Sequence, residues 1–529
     1  YSKRFKFWCE SWTLKMRLTM KKLLKYIILG LGFAMMVSCQ DFVDINTNPN
    51  FPQVVEPVVL VPPMQAQMAL AVQFDGRFLG KYVQNFAHST AQNTWDRYGY
   101  DPGSDNGGQI WRMAYWDLGK NLSLMMEGAE KESRWDLLGL GKVMRAWSWQ
   151  MTTDMHGEMI LTQAFDQTRK TFDYDSQEAV YAEGVKLANE GIGLLAKTDG
   201  AVSQAYMTRG DKIYAGDRAK WTKFAYGLLA RNANNLINKA SYNPDKVIEY
   251  VDKAMASIND DAMVAFDGTV STNSNFWGPS RANMNAFRQT KFIVGLMDST
   301  VFKGARDPRI SSILVPSTDG VYRGHTANTA EVTAAATRIP TPWGIVGAPT
   351  AATPGKYLFR NAAPFPLMTY AEMQFIKAEA AFIKGDKEMA LAAYKNGISA
   401  SIDMVNKYTI DPTPKIDAAA KAAFLGKTSV VPANAGELTL SHIMTQKYIA
   451  LFGFGFLETW NDMRKYHYDA NIYKGLTFTS SLYPDNSGKL AYRIRPRYNS
   501  EYVWNLETLK KYGGDKPEFH TTELWFSQK

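Results

Sequence analysis

The 529-residue chain holds two cysteines, Cys9 and Cys39. So few thiols exclude a disulfide framework and a thiolate metal site. A chain of this length needs neither, because its core can be large. Six histidines are scattered at His88, His156, His325, His442, His467 and His520, and no two stand at ligand spacing on one helix face. There is no His-Glu-x-x-His, no Gly-x-Ser-x-Gly, no phosphate loop and no EF-hand loop. Gly139-Leu140-Gly141-Lys142 lacks phosphate-loop spacing and falls in a helical pattern, so it reads as packing. Strand-like alternation is scarce, and one apolar run, Tyr26 to Val37, stands without a later counterpart. At about a dozen residues it is too short for a bilayer, which needs about 20.

Excess positive charge is also missing where it would matter. The formal charge is +9, but residues 1–38 carry Lys3, Arg4, Lys6, Lys15, Arg17, Lys21, Lys22 and Lys25 against Glu10. That segment accounts for +7, which leaves +2 for the rest. A basic surface for nucleic acid is therefore not expected.

What is present starts at Lys21. Lys21, Lys22 and Lys25 precede the apolar run, and Ser38-Cys39 follows it. Basic residues, a short apolar segment and a small residue before the cleavage point are the parts of a secretory signal. Met36-Val37-Ser38-Cys39 resembles a bacterial lipobox, with Met36 where leucine is commoner. On this reading Met20 is the start, residues 1–38 are upstream sequence and signal, and Cys39 carries lipid. Residues 39–63 form a tether, dense in turn formers and broken by Pro49, Pro52, Pro57, Pro62 and Pro63. Asp41 and Asp44 just past the cysteine resemble a surface-export signal.

From Met64 the apolar spacing turns helical, through Met68, Val72, Phe78, Tyr82 and Phe86. Further helices are expected around Trp111 to Leu122, Arg134 to Met151, Gln177 to Ala196 after Ser176, and from Asp217 through Leu236. Asn243-Pro244 opens another, as a cap followed by proline at the first position. Thr369 to Ala381 and Lys387 to Val405 make a pair joined at Gly385-Asp386, and a last helix is expected over Leu438 to Gly453. Short helix pairs with tight turns resemble tetratricopeptide hairpins. Residues 260–366 differ, being rich in Gly, Pro, Ser, Thr and Asn with one helix expected from Ala282 to Asp298. An irregular stretch of that length is usually functional. The expected fold class is mainly α: tetratricopeptide-like hairpins as scaffold, one body over residues 64–529, and 260–366 as a loop-rich ligand-binding insertion.

Phe365-Pro366-Leu367-Met368-Thr369-Tyr370-Ala371-Glu372-Met373-Gln374-Phe375-Ile376-Lys377-Ala378-Glu379-Ala380 resembles the SusD/RagB family, in its SusD-like nutrient-binding branch. Four more stretches agree, in order: Asp44 to Asn50, Gly210 to Asp217, Lys220 to Ala225, and Gln446 to Phe452 leading to Glu458-Thr459-Trp460-Asn461-Asp462-Met463-Arg464. One stretch departs: where the family often has a Gly-Asp-Val-Pro-Tyr-like run, this chain has Gly157-Glu158-Met159-Ile160-Leu161. The resemblance implies a lipid-anchored protein on the cell surface at the outer membrane, in the Bacteroides group. It implies a SusC-like TonB-dependent transporter as partner and an oligosaccharide as ligand, with no enzyme activity and no cofactor. Some relatives handle peptides, which leaves capture of peptides or another nutrient by the same lid mechanism as the alternative.

Candidate site residues divide by context. Trp147, Trp221, Phe224 and Trp460 lie at helical spacing and are expected in the core. Trp277, with Asn273, Asn275 and Arg281, lies among turn residues, as do Trp95, Tyr98, Tyr100 and Trp343. A flat ring stacks on a sugar face while amides and guanidinium groups bond the hydroxyls. The ligand platform is therefore expected at Trp277, Asn273, Asn275 and Arg281, with Trp95, Tyr98 and Trp343 as further members. Asp101, Asp105 and Asn106 offer oxygen ligands for calcium, against the ordinary reading of a solvated loop. A surface glycoside hydrolase is the remote alternative, with Asp154 and Glu158 beside His156 as its acid pair.

Overall fold

The computed structural model describes residues 55–344, 355–410 and 412–529, together with Met16, Thr19 and Met20. Cys39 and the residues of the lipobox lie outside these. The body begins at Pro57. A 3₁₀ turn, Pro57–Leu60, leads into helix α1, Val61–Tyr82, earlier than the tether boundary expected at residue 63. Pro62 and Pro63 do not delay the helix, because first-turn N–H groups have no intrahelical partner to lose.

Past α1 the chain builds helix α2, Gly119–Lys131, α3, Trp135–His156, and α4, Gln177–Leu195. Then come α5, Arg218–Asn235, α6, Pro244–Lys253, α7, Tyr370–Lys384, and α8, Lys387–Tyr408. The start signals act as the side-chain chemistry dictates. Ser176, Asp217, Asn243, Thr369 and Asp386 each accept from the backbone N–H three residues on. Gly385 turns the chain from α7 to α8 at φ +92°, a left-handed position that glycine takes without strain.

Neighbouring helices pack in sequence, α3 on α4, α4 on α5, α5 on α6, α6 on α7 and α7 on α8. This is the hairpin stack expected from sequence. α3 and α4 meet at Gly139 and Gly191, where a Cβ on either would stand 3.1 Å from the other's carbonyl oxygen. The last expected helix, Leu438 to Gly453, is α9, Leu440–Ala450, capped by Thr439, and a further helix, α10, Phe456–Lys465, follows it. Gly453 at φ +87° stands in the turn between them.

Residues 260–366 leave the stack and are tied back at both ends. Strand β2, Ala262–Val264, pairs antiparallel with β4, Phe365–Met368, and closes the neck of the excursion. Strand β1, Phe86–His88, pairs antiparallel with β3, Phe287–Gln289, with Ala87 opposite Arg288. The helix expected from Ala282 to Asp298 is thus only Lys291–Met297. The residues before it are claimed by the strand pair, and Thr290 caps what remains.

The polar residues of the Thr369 and Glu458 motifs converge in the core. Arg231 of α5 bonds Glu372 of α7 through Nε at 2.6 Å and Nη2 at 2.7 Å, and Glu458 of α10 through Nη1 at 2.9 Å. Lys465 reaches Glu379 at 2.7 Å and Asp462 at 2.9 Å, and Lys447 reaches Asp462 at 2.8 Å. Glu379 is held down to about 2 by these lysines against its burial. Burial lifts Glu458 to about 7 despite Arg231. Among the described residues, no helix is long and apolar enough to cross a membrane.

Candidate functional site

The residues expected to form the ligand platform are elsewhere. Trp277 is 0% exposed, and its ring meets Phe456 edge-on at 5.8 Å and Phe276 at 5.6 Å. A Cβ on Gly76 would stand 3.1 Å from that ring, so α1 makes room for it. Asn275 is fully buried; its Oδ1 accepts from Gln73 and from the Trp277 N–H, and its Nδ2 donates to the Ala363 carbonyl. Trp343 is buried and donates to the Trp277 carbonyl. Tyr98 is buried, stacked on Tyr82 at 5.2 Å with its hydroxyl on the Tyr82 carbonyl. Trp95 is buried, with Nε1 donating to Asp101 at 2.8 Å. A ring without an accessible face cannot stack on a ligand, so these side chains hold loops and core together. Asn273 and Arg281 are not buried, but Asn273 donates to Asp267 while Arg281 donates to the carbonyls of Thr272 and Ser274. Both stitch their own loop.

An open aromatic cleft against α1 has a volume of about 760 Å³. Its aromatic lining is Phe74, Trp111, Tyr115, Trp116, Phe165 and Phe172, and its polar lining includes Gln109, Arg112, Arg497 and Glu501. No described residue of the 260–366 segment lines it. Two wide turns shape it. Met113–Asp117 is π-helical, closed by the Leu118 N–H on the Met113 carbonyl at 2.8 Å. This widened turn breaks the helical register expected from Trp111 through Leu122. Trp111 stays buried, Tyr115 is pinned through its hydroxyl to the Ile160 carbonyl at 2.6 Å, and Trp116 is left 74% exposed. The second π-helical turn, Tyr498–Tyr502, brings Ser500 and Glu501 to the opposite wall. Such turns are over-represented at functional sites.

The cleft's charges are fixed by neighbours. Arg497 pairs with Asp105 at 2.7 Å, and Asn499 donates to the same carboxylate. Arg112 stands 3.5 Å from Asp117, whose carboxyl burial pushes above its ordinary range. Glu501 accepts from the Tyr174 hydroxyl and from Asn505. Behind the wall, buried Asp75 of α1 accepts from the Gln109 and Ile110 N–H groups at 3.2 and 2.7 Å. It anchors the short helix Gln109–Arg112 that runs into the first π turn. Burial raises Asp75 to about 7, against the pull of those two donors.

A second cleft of similar volume runs between α2, α3 and α4. Its ring, Trp135, is covered by the Lys197 ammonium at 4.2 Å, and Lys142–Glu190 bridges it. It offers no open aromatic face. The acids considered for catalysis are engaged too. Asp154 is buried among donors from Tyr181, Asn235 and Asn461, and burial raises it to about 6. Glu158 pairs with Arg493 at 2.7 Å, and neither lines the Trp116 cleft. In the calcium candidate, Asp101 accepts from Trp95 and Asn106, and Asp105 from Asn499 while pairing with Arg497. Among the described residues no group of acids, histidines or cysteines could hold a metal ion.

The sequence signal for the cleft was an aromatic out of phase. Trp116 falls off the stripe made by Trp111, Tyr115, Leu118 and Leu122, and an exposed indole on such a helix is unusual. Phe165, Phe172 and Arg497 lie far from it in sequence and carried no such mark.

The structure is a mainly helical hairpin stack with an open aromatic cleft. The comparisons give its family. A family model described as "Starch-binding associating with outer membrane", SusD-like, matches residues 49–476, and the chain belongs to that family. Among solved structures, the chain is similar to a SusD/RagB family protein from Bacteroides thetaiotaomicron, at 24% identity over 90% of this chain and 99% of that one, with a TM-score of 0.67. It is similar to a chitin-binding protein, at 19% identity over 89% of this chain and 100% of that one, with a TM-score of 0.68. It is also similar to a SusD homolog from Bacteroides fragilis, at 18% identity over 90% and 100% of the two chains, with a TM-score of 0.67. At these identities the structures establish the fold alone. Curated proteins give no match.

Proposed function

We propose that the protein captures an oligosaccharide in the Trp116 cleft and passes it to a SusC-like TonB-dependent transporter, held at the outer membrane through lipid on Cys39. The observation that carries the capture step is one exposed indole set in an apolar, aromatic cleft of about 760 Å³. Pyranose rings present C–H faces that stack on such a ring, and Arg112, Gln109 and Ser500 supply hydrogen-bonding groups at the edge. The family's starch-binding description and the chitin-binding neighbour support a glycan over a peptide. The transporter and the anchor rest on family membership and on the lipobox.

The test is calorimetry with soluble α-1,4-glucose, β-1,4-glucose and β-1,4-N-acetylglucosamine oligomers. Trp116→Ala is expected to weaken binding by roughly thirty-fold, the effect of losing about 2 kcal/mol at a ring anchor. Its melting temperature should stay unchanged, because the ring is exposed. Unaltered affinity in Trp116→Ala, or a wild-type protein that binds peptides and no oligomer, overturns the proposal.

A further inference from the structure

We infer that Trp504 is a second stacking subsite at the far lip of the same cleft, so that the ligand is an oligosaccharide long enough to lie on two indoles. This rests on the reading of the Trp116 cleft as the binding site. Among the described tryptophans, Trp116 and Trp504 alone are exposed, each at 74%. Burying an indole is favourable, and nearly every other described one in this chain is at least half-buried.

The placement of Trp504 follows from the turn that carries it. Ser500 and Glu501 line the cleft wall. The helical stretch continues past them, with the Asn505 N–H on the Glu501 carbonyl at 3.2 Å. Trp504 follows Ser500 by about one turn, and we extend the cleft wall along that turn to its ring. The next residue ties that turn to the cleft lining: the Asn505 side chain accepts from the Phe172 N–H and donates to the Phe172 carbonyl, both at 3.0 Å. Phe172 is itself cleft lining.

The turn is also braced. Tyr498 and Tyr502 stack at 5.6 Å, and the Tyr502 hydroxyl donates to the Gly514 carbonyl and accepts from Arg495, both at 2.8 Å. A ring on a braced turn costs little to order when a ligand covers it. The segment lies beyond residue 476, where the family match ends, so family membership assigns it no role. On this inference the two rings select for chain length: a short oligomer covers one indole and a long one covers both.

The experiment compares wild type, Trp504→Ala, Trp504→Phe and Trp116→Ala by calorimetry, with two-unit and six-unit oligomers of α-1,4-glucose and β-1,4-N-acetylglucosamine. Trp504→Ala is expected to lower affinity for the bound six-unit ligand by about tenfold or more and to leave two-unit affinity unchanged. Trp504→Phe should recover most of the loss, and Trp116→Ala should weaken both lengths. If six-unit affinity is the same in Trp504→Ala, the second subsite is wrong while the Trp116 reading stands. If Trp116→Ala has no effect, or wild type binds none of the oligomers, the cleft reading fails and this inference with it.

Discussion

Trp343 Nε1 donates to the Trp277 carbonyl at 2.6 Å, joining the two tryptophans of the 260–366 segment inside the protein. Trp277 in turn packs between Gly76 of α1 and Phe456 of α10. Trp277→Ala is expected to destabilise the fold by about 3–5 kcal/mol, the usual range for emptying a buried aromatic site. Thermal and denaturant unfolding measure this. Oligosaccharide affinity per folded molecule should be retained, because Trp277 is not part of the cleft lining. An unchanged melting temperature with lost binding would return Trp277 to the site.

Arg231 balances two carboxyls at once, the buried Glu372 and the largely buried Glu458. Removing one member of a buried ionic group leaves uncompensated charge and typically costs 3–5 kcal/mol. Arg231→Ala is expected to show a loss of about that size in urea unfolding. Arg231→Lys should recover only part, because an ammonium cannot make the two-pronged bond to Glu372. A loss below about 1 kcal/mol would mean that the group relaxes or takes up a proton without cost.

Asp75 gives a pH signature with a definite sign. Its folded value is raised to about 7 from an ordinary 3.8. Between those values the folded state holds a proton that the unfolded state has released. Stability from this group is therefore full below the unfolded value, falls as pH rises, and levels off above about 7. The slope is about 1.4 kcal/mol per pH unit for one group. Asp75→Asn removes that slope, so its stability relative to wild type should improve steadily from pH 4.5 to 7. Denaturant unfolding across that range checks it, and a pH-independent difference would show that Asp75 titrates normally.

Local chemistry was enough for the hairpin stack. Ser176, Asp217 and Asn243 cap the helices their positions announced, because a cap bonds a backbone N–H only three residues away. Trp147, Trp221, Phe224 and Trp460 were legible as core for a related reason: helical spacing places each on the apolar face of its own helix, and all are buried. The expected helix over Ala282 to Asp298 was shortened by Phe86–His88, a strand partner some 200 residues away that no local pattern carries.

The site was decided by tertiary structure. Turn-rich surroundings marked Trp277, Trp343, Trp95 and Tyr98 as loop residues, and loops they are. Whether a loop ring faces solvent or core depends on what packs above it, and for Trp277 that is Gly76 and Phe456 from distant helices. Trp116 is the converse case. Its sequence neighbours read as helix, and only the widened turn at Met113–Asp117, anchored through Asp75 and Tyr115, leaves its ring in solvent. The sequence by itself determined the helical class and the caps, since each depends on residues within a few positions of one another. The cleft, with walls from α1, the Met113 turn, Ile160 to Phe172 and the Tyr498 turn, exists only once the chain has brought those segments together.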